Sequence, residues 1–220
     1  MTFCSQLLET SMITVDLHDT VGHAMELMDA AKLEHIPVLD ALQYLGMVPF
    51  DELEDAEPAA EVISLQHRFI KPLVRTGDHF LQALRIRAKF FVDQVPVVNE
   101  RNEWEGVIGS IKMLDQLSIL IGANETGSLI ILEMPRHDYA PGEINRLVES
   151  NDAMIMQLNS IQDNHTGMMQ IVLRINKEEV SDIVATFQRH EYNVLYYYGD
   201  ESYDNSLQNN LDHLMNYLNV

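Results

Sequence analysis

Apolar side chains recur at Val21, Ala24, Met25 and Met28, and again at Phe80, Ala83, Leu84 and Ala88. That spacing lays an apolar stripe along one side of a helix. Asp19 and Asp78 stand just ahead, where a helix cap is expected. Each helix is followed by a short apolar run (Ile36–Leu39; Val95–Val98), a polar turn (Asp40–Gln43; Asn99–Glu103) and a second run (Tyr44–Val48; Trp104–Ile108). The runs read as strands joined by a hairpin turn. A second helix is predicted near Phe50–Ala56 and Ser110–Leu120. Beyond Ala123–Gly127, whose composition is that of a linker, the pattern changes to strand, helix, strand, strand, helix, strand. The strands are Leu129–Met134, Met154–Ile161, Met168–Ile175 and Val194–Tyr198. Period-two alternation is clearest at Met169, Ile171, Leu173 and Ile175, the mark of a sheet covered on one face. Pro141-Gly142 opens one helix, with Ile144, Leu147 and Val148 on its inner side. The other helix, Glu178–His190, presents Val180, Ile183, Val184 and Phe187. A βαββαβ order builds a four-stranded antiparallel sheet with two helices on one face. From Ser206 the pattern predicts an amphipathic helix with Leu207, Leu211, Leu214, Met215 and Leu218 on one stripe.

The first half is a duplication. At an offset of 59, Val15 meets Val74, Asp19 meets Asp78, Ala24 meets Ala83, and Pro37-Val38 meets Pro96-Val97. Gly46-Met47-Val48 and Gly106-Val107-Ile108 follow after the turn, with one extra residue in the second copy. A ββα unit with one apolar face cannot bury that face alone, and two copies can bury it against each other.

These features, over about Met1–Gly122, resemble a tandem pair of CBS (cystathionine-β-synthase-type) domains. The resemblance rests on Ile36-Pro37-Val38, Val95-Pro96-Val97 and the glycine-led second strand. It implies two clefts at the boundary between repeats, often for adenosine nucleotides, and pairing of modules into a flat disc. Nucleotide-binding members carry Thr/Ser-x-x-Asp after the glycine-led strand, the hydroxyl for phosphate and the carboxylate for the ribose diol. Here the first copy reads Pro49-Phe50-Asp51-Glu52 and the second Gly109-Ser110-Ile111-Lys112. Proline replaces the hydroxyl in one, with Glu52 keeping the charge, and in the other lysine replaces the aspartate, with Ser110 the nearest hydroxyl. Weak or absent nucleotide binding is expected. Glu52 is either a ribose ligand or a solvated glutamate in the first helical turn. Lys112 either holds an anion or is an ordinary helix lysine. The residues implied to line the clefts are Thr14, His35, Pro37, Glu52, Lys71, Gln94, Pro96, Ser110 and Lys112.

The second half, over roughly Ser128–Asp200, resembles an ACT domain, the small regulatory module of amino-acid metabolism. The resemblance implies a ligand site in the loop that contains His137, Asp138, Pro141 and Gly142. Backbone N–H groups at the helix start suit a carboxylate there, and Asp138 suits an ammonium. The other reading of the loop is a turn and helix start, with the sheets serving only to pair two copies. The fold class expected is α+β: a CBS pair, a ferredoxin-like ACT-type domain and a C-terminal helix. The boundaries are 1–66 and 67–122 for the repeats, 123–127 for the linker, 128–200 for the ACT-like domain and 201–220 for the tail. This layout is similar to bacterial CBS–ACT proteins, including some of acetoin-utilisation type.

Charge narrows the partners. Among 220 residues, 34 are acidic and 14 are Lys or Arg, a net charge of −20. Such a surface repels phosphate backbones and anionic lipids, so neither nucleic acid nor membrane is expected as a partner. The tail has no basic face with which to lie on a bilayer. No apolar run reaches the ~18–20 residues of a membrane span, and Met1–Thr10 lacks the regions of a signal peptide. The single Cys4 cannot form an internal disulfide, which fits a reducing cytoplasm. The nine histidines are scattered, His18 and His23 are five apart, and no metal site is expected. Arg85, Arg87 and Lys89 read as a solvated helix face or an anion contact at a dimer seam. Met154, Met156, Met168 and Met169 read as adaptable packing. The expectation is a non-catalytic regulatory protein that binds a nucleotide or an amino acid and signals through a homodimer or higher homo-oligomer to a protein partner. The alternatives are an interaction module with vestigial clefts and an enzyme with an unrecognised site.

Overall fold

The computed structural model describes residues 2–9, 13–163 and 166–199. The tail expected as a helix from Ser206 lies outside the described residues. The chain divides into two units, Met1–Leu120 and Ile121–Val220.

The first unit holds two copies of one plan. In the first copy, β1 (Val15–Asp16) leads to α1 (Val21–Ala31), β2 (His35–Asp40), β3 (Gln43–Pro49) and α2 (Phe50–Glu54). In the second, β4 (Val74–Arg75) leads to α3 (Phe80–Phe90), β5 (Gln94–Val98), β6 (Trp104–Gly109) and α4 (Ser110–Leu120). Each copy forms a three-stranded sheet, with a short first strand parallel to the second and the second antiparallel to the third. Pro37 and Pro96 stand one residue before β1 and β4 join the sheet, at Val38 and Val97. A strand proline is tolerated where a neighbour's ladder does not need its N–H.

The helix starts differ from expectation by one residue. Thr20, not Asp19, caps α1, its hydroxyl accepting from the His23 N–H at 3.2 Å, and the His79 ring accepts from the Leu81 N–H at 3.3 Å. The two aspartates instead close the preceding turns, accepting from the Asp16 and Arg75 N–H groups at 2.8 Å. Short acceptors serve either purpose, and the turn lies nearer. Val21, Ala24, Met28, Phe80 and Ala83 are buried as the stripe requires, whereas Ala88 is exposed.

The segments that precede each copy are exchanged. Residues 3–9 enter the first copy yet lie on the second: the Cys4 N–H donates to Asp78 O at 2.8 Å and the Glu9 N–H to Val107 O at 2.9 Å. The 3-10 segment Val62–Arg68 and its continuation lead into the second copy yet lie on the first. There the Val62 N–H donates to Asp19 O at 2.9 Å and the Met47 N–H to Ile70 O at 2.8 Å. The burial follows the bonds. Cys4 sits among Val74, Ala83, Val95 and Ile108, and Val62 and Leu65 among Val21, Met28 and Leu53. The repeat glycines are explained here. Gly46 and Gly106 have φ of 154° and 143°, and an added Cβ would stand 2.7 Å from Ile70 O or 2.6 Å from Glu9 O. Where the two hairpin tips meet, the Tyr44 and Trp104 rings stack with centroids 5.8 Å apart, and the Asn102 amide donates to Tyr44 O at 2.9 Å.

The second unit runs β7 (Ser128–Pro135), α5 (Pro141–Glu149), β8 (Ile155–Gln162), β9 (Met168–Ile175), α6 (Ser181–Arg189) and β10 (Asn193–Tyr198). Its antiparallel sheet has the order β10-β7-β9-β8, the ferredoxin-like βαββαβ arrangement. Ile130, Leu132, Ile171 and Leu173 meet Ile144, Leu147, Ile183 and Phe187 in one core. The sixth helix begins three residues later than Glu178. Met154 and Met156 are exposed rather than packed, while Met169 rests against the core.

Candidate functional site

The two helix residues expected at the clefts are held in ion pairs within this chain, with opposite polarity. On α2, Glu52 pairs with Arg68 from the crossing segment. On α4, Lys112 lies 3.9 Å from the Glu9 carboxylate and 3.5 Å from Leu8 O, again on a crossing segment. Glu9 also sits close over Gly109, where a Cβ would stand 3.3 Å from its Oε1. Ser110 is engaged: its hydroxyl donates to Asp93 O at 2.7 Å and accepts from the Arg87 Nε at 3.1 Å. Pro37 and Pro96 are buried within their strands, Thr14 is half-buried just before β1, and Lys71 is exposed, its stem 3.6 Å from where a Gly46 Cβ would lie. These residues do not converge on a single open cradle.

His35 and Gln94 do converge. They hold equivalent places at the starts of β2 and β5 and line one cavity of about 210 Å³, together with Ala31, Lys32, Leu33, Glu34, Met47 and Asp93. A second cavity of about 550 Å³ shares Lys32, Leu33, Glu34 and His35 and continues to Pro49, Phe50 and Asp51. His35 Nδ1 and Gln94 Oε1 are buried, and neither has a hydrogen-bond partner among the described residues. Burial holds the His35 imidazole below the usual histidine range, against the pull of Glu34, Asp93 and Asp51. The backbone fixes the site: Glu34 O accepts from the Phe50 N–H and Asp93 O from the Ser110 N–H, both at 2.9 Å. Each strand start is thereby tied to the first turn of the following helix. Glu34 and Asp93 are not among the residues singled out by the sequence, yet they match at the same offset of 59.

In the second unit, His137 is exposed and faces the Asp138 carboxylate at 3.4 Å. Asp138 lines a separate cavity of about 510 Å³ with Glu133, Glu143, His190, Glu191 and Tyr192. Pro141 and Gly142 form the first turn of α5 and do not line that cavity. Burial and the Glu143 carboxylate push the Tyr192 phenol up from its usual range. Cys4 is buried, and burial with nearby Asp78 pushes its thiol up to about 11. A thiol so placed is a poor nucleophile. Among the described residues, no helix is long and apolar enough to cross a membrane.

Residues 4–58 match the CBS domain family model. That stretch is not a compact body by itself, since its first residues pack on the second repeat. A CBS domain pair/ACT domain protein from Thermotoga maritima has a solved structure similar to this chain, with a TM-score of 0.51 at 19% identity, covering 55% of this chain and 99% of that one. The cystathionine beta-synthase pair domain from Shewanella oneidensis MR-1 is similar at a TM-score of 0.50 and 17% identity, covering 55% of this chain and 72% of that one. No curated protein matches the chain. Together with the duplicated sheets, these likenesses show an α+β fold of the kind seen in CBS domain pairs.

Proposed function

We propose that the chain is a non-catalytic, ligand-sensing regulatory protein of the cytoplasm. In this reading a CBS pair takes a small molecule at the boundary between its repeats, and an ACT-like domain follows. The observation that carries the reading is the pair of buried, unpartnered polar atoms that two equivalent positions present to one cavity. A buried acceptor or donor left unpaired costs about 1–3 kcal/mol, which a bound molecule restores. The cavity wall offers no hydroxyl or thiol nucleophile, which favours binding over turnover. An amino acid fits the cavity better than an adenosine nucleotide, because Glu52 and Lys112 are bound internally and the nearby carboxylates repel phosphate.

Signal transfer through a homodimer belongs to the same reading. Residues 1–60 hold twelve acidic side chains and one basic one, Lys32, whereas residues 61–122 hold seven and eight. The repeats thus differ by helix face: Glu26 and Asp29 on α1, Arg85 and Lys89 on α3. The second repeat also exposes Phe91, Ile111 and Leu114. A second copy set head to tail joins the acidic face to the basic one and covers those side chains.

Thermal unfolding of the full chain against nucleotides, S-adenosylmethionine and amino acids tests the reading. A selective ligand at a hundred times its Kd stabilises by about 2.7 kcal/mol, and that gain should vanish in the double variant His35→Ala/Gln94→Ala. A flat response to every compound favours the second reading, an interaction module whose clefts are closed by their own ion pairs.

A further inference from the structure

The cavity at the repeat boundary selects for one kind of chemical group. Gln94 Oε1 can only accept a hydrogen bond, and a neutral imidazole keeps one ring nitrogen with a free lone pair. With the His35 proton on Nε2, the cavity offers two acceptors that lack donors, His35 Nδ1 and Gln94 Oε1, from equivalent positions of the two repeats. Two carboxylates, Glu34 and Asp93, stand in the same wall, and Asp51 lies in the adjoining cavity. Asp93 also faces Arg87 at 3.8 Å. Within the wall itself Lys32 is the only cation. Acceptors and carboxylates together favour a donor that carries positive charge and disfavour a phosphate. The volume of about 210 Å³ is that of roughly seven waters of bulk liquid. That is room for a molecule of amino-acid size.

We propose that this cavity binds a small molecule through a primary ammonium group, which donates to His35 Nδ1 and Gln94 Oε1 and is balanced by Glu34 and Asp93. The inference rests on the ligand-sensing reading and adds the chemical class of the ligand. Two sources share this chemistry, a simple amine and an α-amino acid, and Lys32 separates them. A carboxylate on the ligand pairs with the lysine, whereas a bare diamine is repelled by it.

Titration calorimetry on the full chain, with putrescine, the common L-amino acids, AMP and ATP as probes, decides the matter. Saturable binding of an ammonium-bearing probe is expected. It should weaken at least tenfold in Glu34→Gln/Asp93→Asn, whose exposed positions leave folding intact, and in Gln94→Met, which keeps the packing but removes the acceptor. Lys32→Ala should weaken an amino acid and strengthen putrescine. Amine binding that ignores all these substitutions overturns the site. Binding of AMP or ATP alone overturns the ammonium assignment and leaves the sensing reading standing. No binding by any probe overturns both.

Discussion

His35 and His18 give the protein opposite responses to acid. Desolvation lowers the His35 pKa in the folded state, so folding favours its neutral form. Its contribution is present above the unfolded value near 6.5 and is lost as pH falls through the folded one. The groups that face it, Glu34, Asp51 and Asp93, soften this effect without reversing it. His18 bonds Glu61 at 2.9 Å, and that bond raises its pKa. Its contribution is present below about 6.5 and lost as pH rises. Melting curves from pH 5 to 8 should show a shallower acid-side decline in His35→Gln than in the parent. His18→Ala should lower the melting temperature at pH 5.5 and leave it unchanged at pH 8. Gly106→Ala places a Cβ against Glu9 O at a positive φ and should cost more than about 1 kcal/mol in chemical denaturation. The matching alanine at Gly77, which meets nothing within 4 Å, serves as its control. At this scale the sequence was legible where spacing carried the information. His35 and Gln94 were among the residues implied to line the clefts, but Glu34 and Asp93 look like ordinary surface acids until a cavity is seen beside them. Asp19 and Asp78 misled for a related reason, since a cap and a turn ask for the same short acceptor.

Among the elements, the exchanged segments supply the ion-pair partners of α2 and α4. Each brings a side chain of the opposite charge to the helix residue it meets, Arg68 to Glu52 and Glu9 to Lys112. These partly exposed pairs should each show a coupling of only about 0.2–1 kcal/mol in a double-mutant cycle. Charge reversal in both partners, Glu9→Lys with Lys112→Glu, should restore most of what either single change removes. Burial tells a different story from charge. Phe80 is fully buried, and Phe80→Ala should cost about 3–5 kcal/mol in denaturant unfolding. Strong periodicity made these elements legible: α4 begins and ends at Ser110 and Leu120, as its pattern predicts. The exchange was not legible, because strand and helix periods report which face is apolar and not which neighbour covers it. Met156 in the edge strand β8, and Met154 just before it, show the same limit, being apolar yet left open.

For the molecule as a whole, the uneven division of charge between repeats predicts how copies associate. Sedimentation should show self-association that weakens between 50 and 500 mM salt, as the screening length falls from above ~10 Å to well below it. Arg85→Glu/Lys89→Glu should lower it, and adding Glu26→Lys/Asp29→Lys to the same chain should restore it. Recovery in that fourfold variant would be missing from a head-to-head pairing. Internal repetition made the paired architecture legible from sequence, and strand order did the same for the βαββαβ unit. The polarity across the first unit was hidden in the total of −20, which adds an acidic first repeat and a nearly neutral second one to an acidic remainder of the chain.

Crossing segments also impose a timetable on synthesis. When Cys4 leaves the ribosome, the residues that will enclose it, among them Val74, Val95 and Ile108, have not been made. At about 5–20 residues per second, the wait for Ile108 is on the order of 5–20 s. During that time an apolar first segment has no home on its own repeat. The pair closes late, with its earliest residues among the last to be buried.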